Sequence, residues 1–331
     1  MKAIDAAYAS ADRAVASPAA LSAWMNFLKG MAIFGIVAFH FFNDHVSAIM
    51  AAMGTTTTGI EGLLRTAQSA FLQATHIGSQ GIHVFFFLSG FGLALSETKK
   101  SLNAGQFMIR RLSRIYPAFV VALLFVALLQ LMTGQQKADA SYFQAMLVNF
   151  VLLRNYSSDW IRTLNGDWWF VAAIVPMYVM HLVLRKYYFA KPLRWLFIAF
   201  AVSFAYKVAL VVAASQGVIF FDAGQLNPYT AFFLNYWWIF VAGMIMQRLN
   251  AFGRLAALRP SGLFALFLIG MLCEVIGVIL GYSTIGRVFN DDPFAIAQLC
   301  LLSVLAMLIV SKIPRVHGLV GAIGASSYGM Y

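Results

Sequence analysis

Lys29 and His40 are the two ionisable residues of LKGMAIFGIVAFHFF, an otherwise apolar run from Leu28 to Phe42. At 100° per residue, an offset of eleven positions returns to within about 20° of the same helix face, roughly 16 Å further along the axis. A histidine near neutral pH can act as a general base or as a nucleophile. A lysine offers a point charge to an anion. Ionisable groups at bilayer depth are costly enough to point to function by default. Each residue also has a plainer reading. Lys29 can snorkel to the headgroups as an orientation signal, and His40 can bond a neighbouring helix.

The next apolar run, QGIHVFFFLSGFGLAL from Gln80 to Leu95, brings His83 to about the depth of His40 from the opposite direction. Ser89 and Gly90 lie deeper, where small residues serve close helix packing and where a serine could also be a nucleophile. A basic stretch follows, KKSLNAGQFMIRRLSRIYPAF, with five cationic residues between Lys99 and Arg114. Arg111 and Arg114, three apart, share a face if the segment is helical. Their planar guanidinium groups suit phosphate, whether of a ligand or of anionic lipid. Later, GDWWFVAAIVPMY offers Asp167 beside Trp168 and Trp169, residues equally at home at a membrane interface.

The elements that must carry these residues are membrane helices. The 331 residues are 61% hydrophobic and 11% charged, against roughly a quarter charged in soluble domains. Several apolar runs reach the ~20 residues needed to cross a bilayer, and short alternating segments of the β-barrel kind are missing. The fold expected is all-α, a polytopic helix bundle. Hydropathy sets spans near 24–42, 77–96, 115–132, 168–184, 195–213, 229–246, 261–281 and 294–311, with a ninth beginning near Gly318. Tyr142 to Leu153 is too short to cross and fits an interfacial or re-entrant helix. Residues 1–23 read as a cytoplasmic tail and 24–331 as one membrane domain, with no linker or fixed-period repeat.

The net charge of +11 follows from loop orientation and not from nucleic-acid binding. With the N-terminus inside, the cytoplasmic loops collect most of the basic residues. The opposite loops hold Arg65, Lys137, Arg154, Arg162 and Arg287, and Lys207 lies within a span. Cys273 and Cys300 sit in apolar runs and form neither a disulfide framework nor a metal cluster.

These pieces together resemble acyltransferase family 3, integral membrane O-acyltransferases of bacterial surface and exported glycans. The family's Arg-x10-His pattern is matched by Lys29 and His40, its FFxLSGF stretch by Phe86 to Phe91, and its Arg-x-x-Arg followed by an Ile-x-Pro turn by Arg111, Arg114, Ile115 and Pro117. Trp169 and Tyr178 fit its Trp-containing motif, and SSYGMY its Ser-Tyr-x-x-Tyr motif. Lys29 departs from the usual Arg, and Ile174 stands where many members have Glu. Complete members are expected to have about ten spans.

The resemblance implies transfer of an acyl group, commonly acetyl from acetyl-CoA, to a saccharide hydroxyl, in the bacterial inner membrane and without a metal. Envelope polysaccharide enzymes would be the working partners, and membrane lipids the surroundings. Lys29, Arg111 and Arg114 would hold the donor's phosphates while His40 acts on the acyl end. Asp44, four residues on, could orient the His40 ring if the helix continues. His83, Ser89, Asp167 and Trp169 are candidates for the acceptor pocket, and Tyr116 could touch the donor. The competing class is a secondary transporter or flippase-like exporter, for which Lys207 and Glu274 would be the intramembrane charges, pairing or facing a cavity.

Overall fold

The computed structural model describes residues 18–52, 78–99, 102–219, 226–310 and 314–326, and among them it is helical with no strand. The principal helices are α1 (Pro18–Ala52), α2 (Gly81–Lys99), α3 (Ala104–Met132), α4 (Ala140–Phe150), α5 (Trp169–Ala190), α6 (Pro192–Ser215) and α7 (Trp237–Arg248). They are followed by α8 (Ala251–Ala256), α9 (Pro260–Gly281), α10 (Thr284–Arg287), α11 (Asp291–Val310) and α12 (Pro314–Ser326). Among the described residues, six segments are long and apolar enough to cross a membrane: Leu21–Phe41, Ala104–Met132, Gly166–Tyr188, Pro192–Ser215, Pro260–Gly281 and Asp291–Ile309. Gly81–Glu97 is apolar but shorter.

Local chemistry sets several boundaries. Asn103 caps α3, its Oδ1 accepting from the Gln106 amide at 2.8 Å, and Asp139 caps α4 through the Tyr142 amide at 2.9 Å. Pro192 begins α6, where its missing N–H costs nothing. With 29 residues, α3 is about 44 Å long, more than the ~30 Å hydrocarbon core requires, so it has turns to spare beyond its apolar stretch. Pro117, expected in a turn, lies inside this continuous helix. The run 229–246 yields a shorter helix than hydropathy suggests, because Phe233–Asn235 forms a 3-10 turn before α7 starts.

The chain divides into two compact units. The first comprises residues 1–85, 252–274 and 293–327. Within it α12 packs on α1 at backbone distance. A Cβ on Gly30 would collide with the Val320 carbonyl, and one on Gly324 with the Asn26 carbonyl. Trp24 meets Phe252 edge-on at 3.8 Å between ring centroids.

The second unit comprises residues 86–251, 275–292 and 328–331. Its α2 and α7 approach through a reciprocal pair of glycines. A Cβ on Gly90 would strike the Phe240 carbonyl, and one on Gly243 the Phe87 carbonyl. Small residues drive this kind of contact where lipid supplies no hydrophobic incentive. Phe119, Leu123, Trp168 and Val171 form a core between α3 and α5. α4 is tied to α3 by Tyr142, whose hydroxyl donates to the Ala127 carbonyl at 2.9 Å.

Candidate functional site

Lys29 and His40 lie on one unbroken helix in the first unit, so the shared face inferred from their offset is realised on α1. Both are half-buried. The helix runs on past Asp44 to Ala52, whereas the side chain of Asp44 is outside the described residues. The chain entering α2 is pressed against α1 just before His40. A Cβ on Gly35 would stand 2.9 Å from Gly78 Cα, and one on Gly81 would stand 2.6 Å from the Ala32 carbonyl oxygen.

His83, on the first turn of α2, is almost fully buried in the same unit and is close enough to Glu274 for the two to interact electrostatically. Glu274 receives a hydrogen bond from Gln80 Nε2 to Oε1 at 3.2 Å, and Gln80 Oε1 in turn accepts from Gln298 Nε2 at 3.2 Å. Neither glutamine stands out in the sequence. Glu274 was legible there as an intramembrane charge, but not its partner.

The second unit holds Ser89, Arg111, Arg114, Asp167 and Trp169. Ser89 is buried beside the glycine contact of α2 with α7, where packing already accounts for a small residue. Arg111 and Arg114 sit on the first turns of α3, confirming that this basic segment is helical. Arg111 Nη2 donates to Ser96 Oγ at 2.6 Å, and its guanidinium lies 5.6 Å from the Phe107 ring centroid. Arg114 is exposed.

The residue after Ser96 anchors a second cationic group. Glu97 Oε1 is 3.0 Å from His181 Nε2 and 3.6 Å from Arg185 Nη1, while Arg185 donates to the Leu102 carbonyl at 3.0 Å. His181 stacks on Phe107, centroids 5.5 Å apart, so this ring is flanked by both Arg111 and the buried imidazole. Sequence reasoning passed over Glu97, His181 and Arg185. A histidine inside an apolar run was the available signal, the same one that marks His40.

Trp169 is half-buried and joins an aromatic group with Phe86 at 6.2 Å and Tyr236 at 5.3 Å, while Trp168 is buried against Phe119. Asp167 is exposed at the start of α5. Nearby Arg154 is fully buried, donating to Asn149 Oδ1 at 2.8 Å and to the Ile161 carbonyl. Burial pushes its guanidinium down to about 10, opposed by the negative charge of Asp167. Tyr116, a possible donor contact, instead gives its hydroxyl to the Phe150 carbonyl.

The family model described as an acyltransferase domain matches residues 22–331, nearly the whole chain. The chain belongs to acyltransferase family 3. It is therefore a multi-pass membrane acyltransferase, in keeping with its apolar helices. A comparison with curated proteins and one with solved structures found no match. The matched region includes α1 with Lys29 and His40. The final SSYGMY segment falls largely beyond the described residues, which end at Ser326.

Proposed function

We propose that this acyltransferase takes acetyl from cytoplasmic acetyl-CoA and places it on a hydroxyl of a surface or exported saccharide, working in the bacterial inner membrane with its N-terminus on the cytoplasmic side. The observation that carries the reading is the family match over residues 22–331 in a chain whose one unbroken α1 presents both Lys29 and His40.

In the direct route, neutral His40 removes the acceptor hydroxyl proton as the oxygen attacks the thioester carbonyl. The C–S bond then breaks and the CoA sulfur leaves with the proton returned by the imidazolium, giving an ester and free CoA thiol. In the two-step route, His40 attacks first and carries the acetyl group before the hydroxyl displaces it. The phosphates of the donor are assigned to Lys29, Arg111 and Arg114, as charge-assisted contacts. His83, Asp167 and Trp169 are assigned to the acceptor side, where a tryptophan face suits a sugar ring.

The test is turnover of labelled acetyl-CoA by purified protein without an ion gradient. His40→Ala is expected to lower transfer at least about 100-fold while the protein remains inserted and monodisperse. Retained turnover would sink the assignment, and a requirement for an ion gradient would favour transport. Label held on the wild-type protein in the absence of acceptor distinguishes the two-step route.

A further inference from the structure

Glu274 lies in Pro260–Gly281, a segment apolar enough to cross the membrane, and the residue is buried, with 9% of its surface exposed. A carboxylate in such surroundings is expensive unless its lone pairs are used. Oε1 is used, by Gln80. Oε2 is buried and has no hydrogen-bond partner among the described residues. Buried polar atoms of this kind are rare in native folds and call for an explanation.

The amide chain behind Glu274 fixes its orientation. A carboxylate can only accept, so Gln80 must present its NH2 group to Glu274. Its carbonyl oxygen then faces Gln298, which must donate. Three segments in one unit therefore converge to hold a single carboxylate with one oxygen unspent. Gln80 stands between Gly78 and Gly81, the two residues pressed on Gly35 and Ala32 of α1. From Gly35, His40 is only about 7.5 Å further along the helix axis.

We infer that Glu274, held by Gln80 and Gln298, forms a subsite for a hydroxyl group of the acyl acceptor, with Oε2 as the atom that meets it. This rests on the acyl-transfer reading above and adds where the acceptor is gripped. A hydroxyl suits the position because it is both donor and acceptor and so satisfies Oε2 whether or not the acid is ionised. An ammonium group could only donate. His83 lies close to the same carboxylate.

Steady-state transfer from acetyl-CoA to glycerol, a small polyol probe, tests the subsite on the full chain in nanodiscs. Glu274→Gln keeps the side-chain volume and is expected to raise the KM for glycerol at least tenfold, with a smaller fall in maximal rate. Gln80→Ala, which frees Glu274 without touching its charge, should move KM in the same direction. Wild-type affinity for acetyl-CoA in both variants certifies the fold. An unchanged glycerol KM in both overturns the subsite and leaves the role of His40 standing. So does a wild-type protein that consumes acetyl-CoA yet puts no acetyl on glycerol. If the wild type consumes no acetyl-CoA with any hydroxyl acceptor, the acyl-transfer reading itself falls, and the subsite with it.

Discussion

Lys207 Nζ lies 2.6 Å from Asp292 Oδ1, and the lysine side chain is wholly buried. Asp292 Oδ1 also accepts from Trp238 Nε1 at 2.8 Å, so one carboxylate binds α6, α7 and the start of α11 into a single knot. A charge of this kind in a span would, unpaired, suggest a transport pathway. Here it is neutralised in place. Removing one partner leaves the other buried and uncompensated, so Lys207→Met is expected to cost roughly 3–5 kcal/mol of stability. The double variant Lys207→Met with Asp292→Asn keeps an acceptor for Trp238 and should recover most of that loss. Thermal unfolding of the three proteins in detergent checks it. Equal stability of the single and double variants would show that the pair is not coupled.

The glycine contact between α2 and α7 gives a second prediction. Gly90→Ala sets a methyl group against the Phe240 carbonyl, which as backbone cannot simply rotate away. The helices must separate, at a cost of about 1–3 kcal/mol. Gly243→Ala should cost a similar amount against the Phe87 carbonyl. An unchanged melting temperature in both would mean that the helices are less closely applied than their backbones indicate.

Donor affinity should depend on the cations in graded fashion. Lys29→Ala and Arg114→Ala are each expected to weaken acetyl-CoA binding about tenfold, the scale of one charge-assisted contact to a phosphate. Lys29→Arg should retain or tighten binding, since a guanidinium can grip phosphate with two parallel bonds. Calorimetric titration with acetyl-CoA measures all three. Unaltered affinity in both alanine variants would remove these residues from the donor site.

The start of α4 should be sensitive to acid. Asp139 is held below the usual carboxylate range, chiefly by the hydrogen bond from the Tyr142 amide and also by that from Ser141. A lowered folded-state pKa means that the cap stabilises the helix above the ordinary aspartate range and loses that effect as pH falls through the lowered value. The protection factors of the Tyr142 and Phe143 amides, relative to intrinsic exchange at each pH, are therefore expected to fall below about pH 4, with Asp139→Ala already poorly protected at neutral pH. Equal protection in wild type and variant would contradict the cap.

Six of the apolar runs are helices of spanning length among the described residues and were legible because such runs near twenty residues have few alternatives, and the offset between Lys29 and His40 was legible because both lie on one helix. Partner choice across the fold was not. Glu97 and His181 are 84 residues apart, Lys207 and Asp292 are 85, and Gln80 is 194 from Glu274. Each pairing is set by how helices pack, which no local spacing encodes. Lys207 and Glu274 were visible as charges within spans, yet each bonds a residue that sequence alone gave no reason to single out. Glu97 blended into the polar end of α2, beside the basic stretch, and Gln80 into the polar entrance before that helix. The interior position of Pro117 was hidden for a related reason, since proline usually argues for a helix end but a long membrane helix can absorb it.

The close seating of α12 on α1 sets an order of assembly. Gly30 and Asn26 meet partners that leave the ribosome roughly 290 residues later, on the order of 15–60 s at ordinary rates of synthesis. For that interval the small-residue flank of α1 is open to wrong neighbours, and the helix bearing His40 lacks its eventual support. A nascent chain stalled before Pro314 would expose that flank to whatever insertase or holding factor the membrane provides. α12 thus acts as a latch on α1, a helix that waits through the synthesis of roughly 290 further residues for its support.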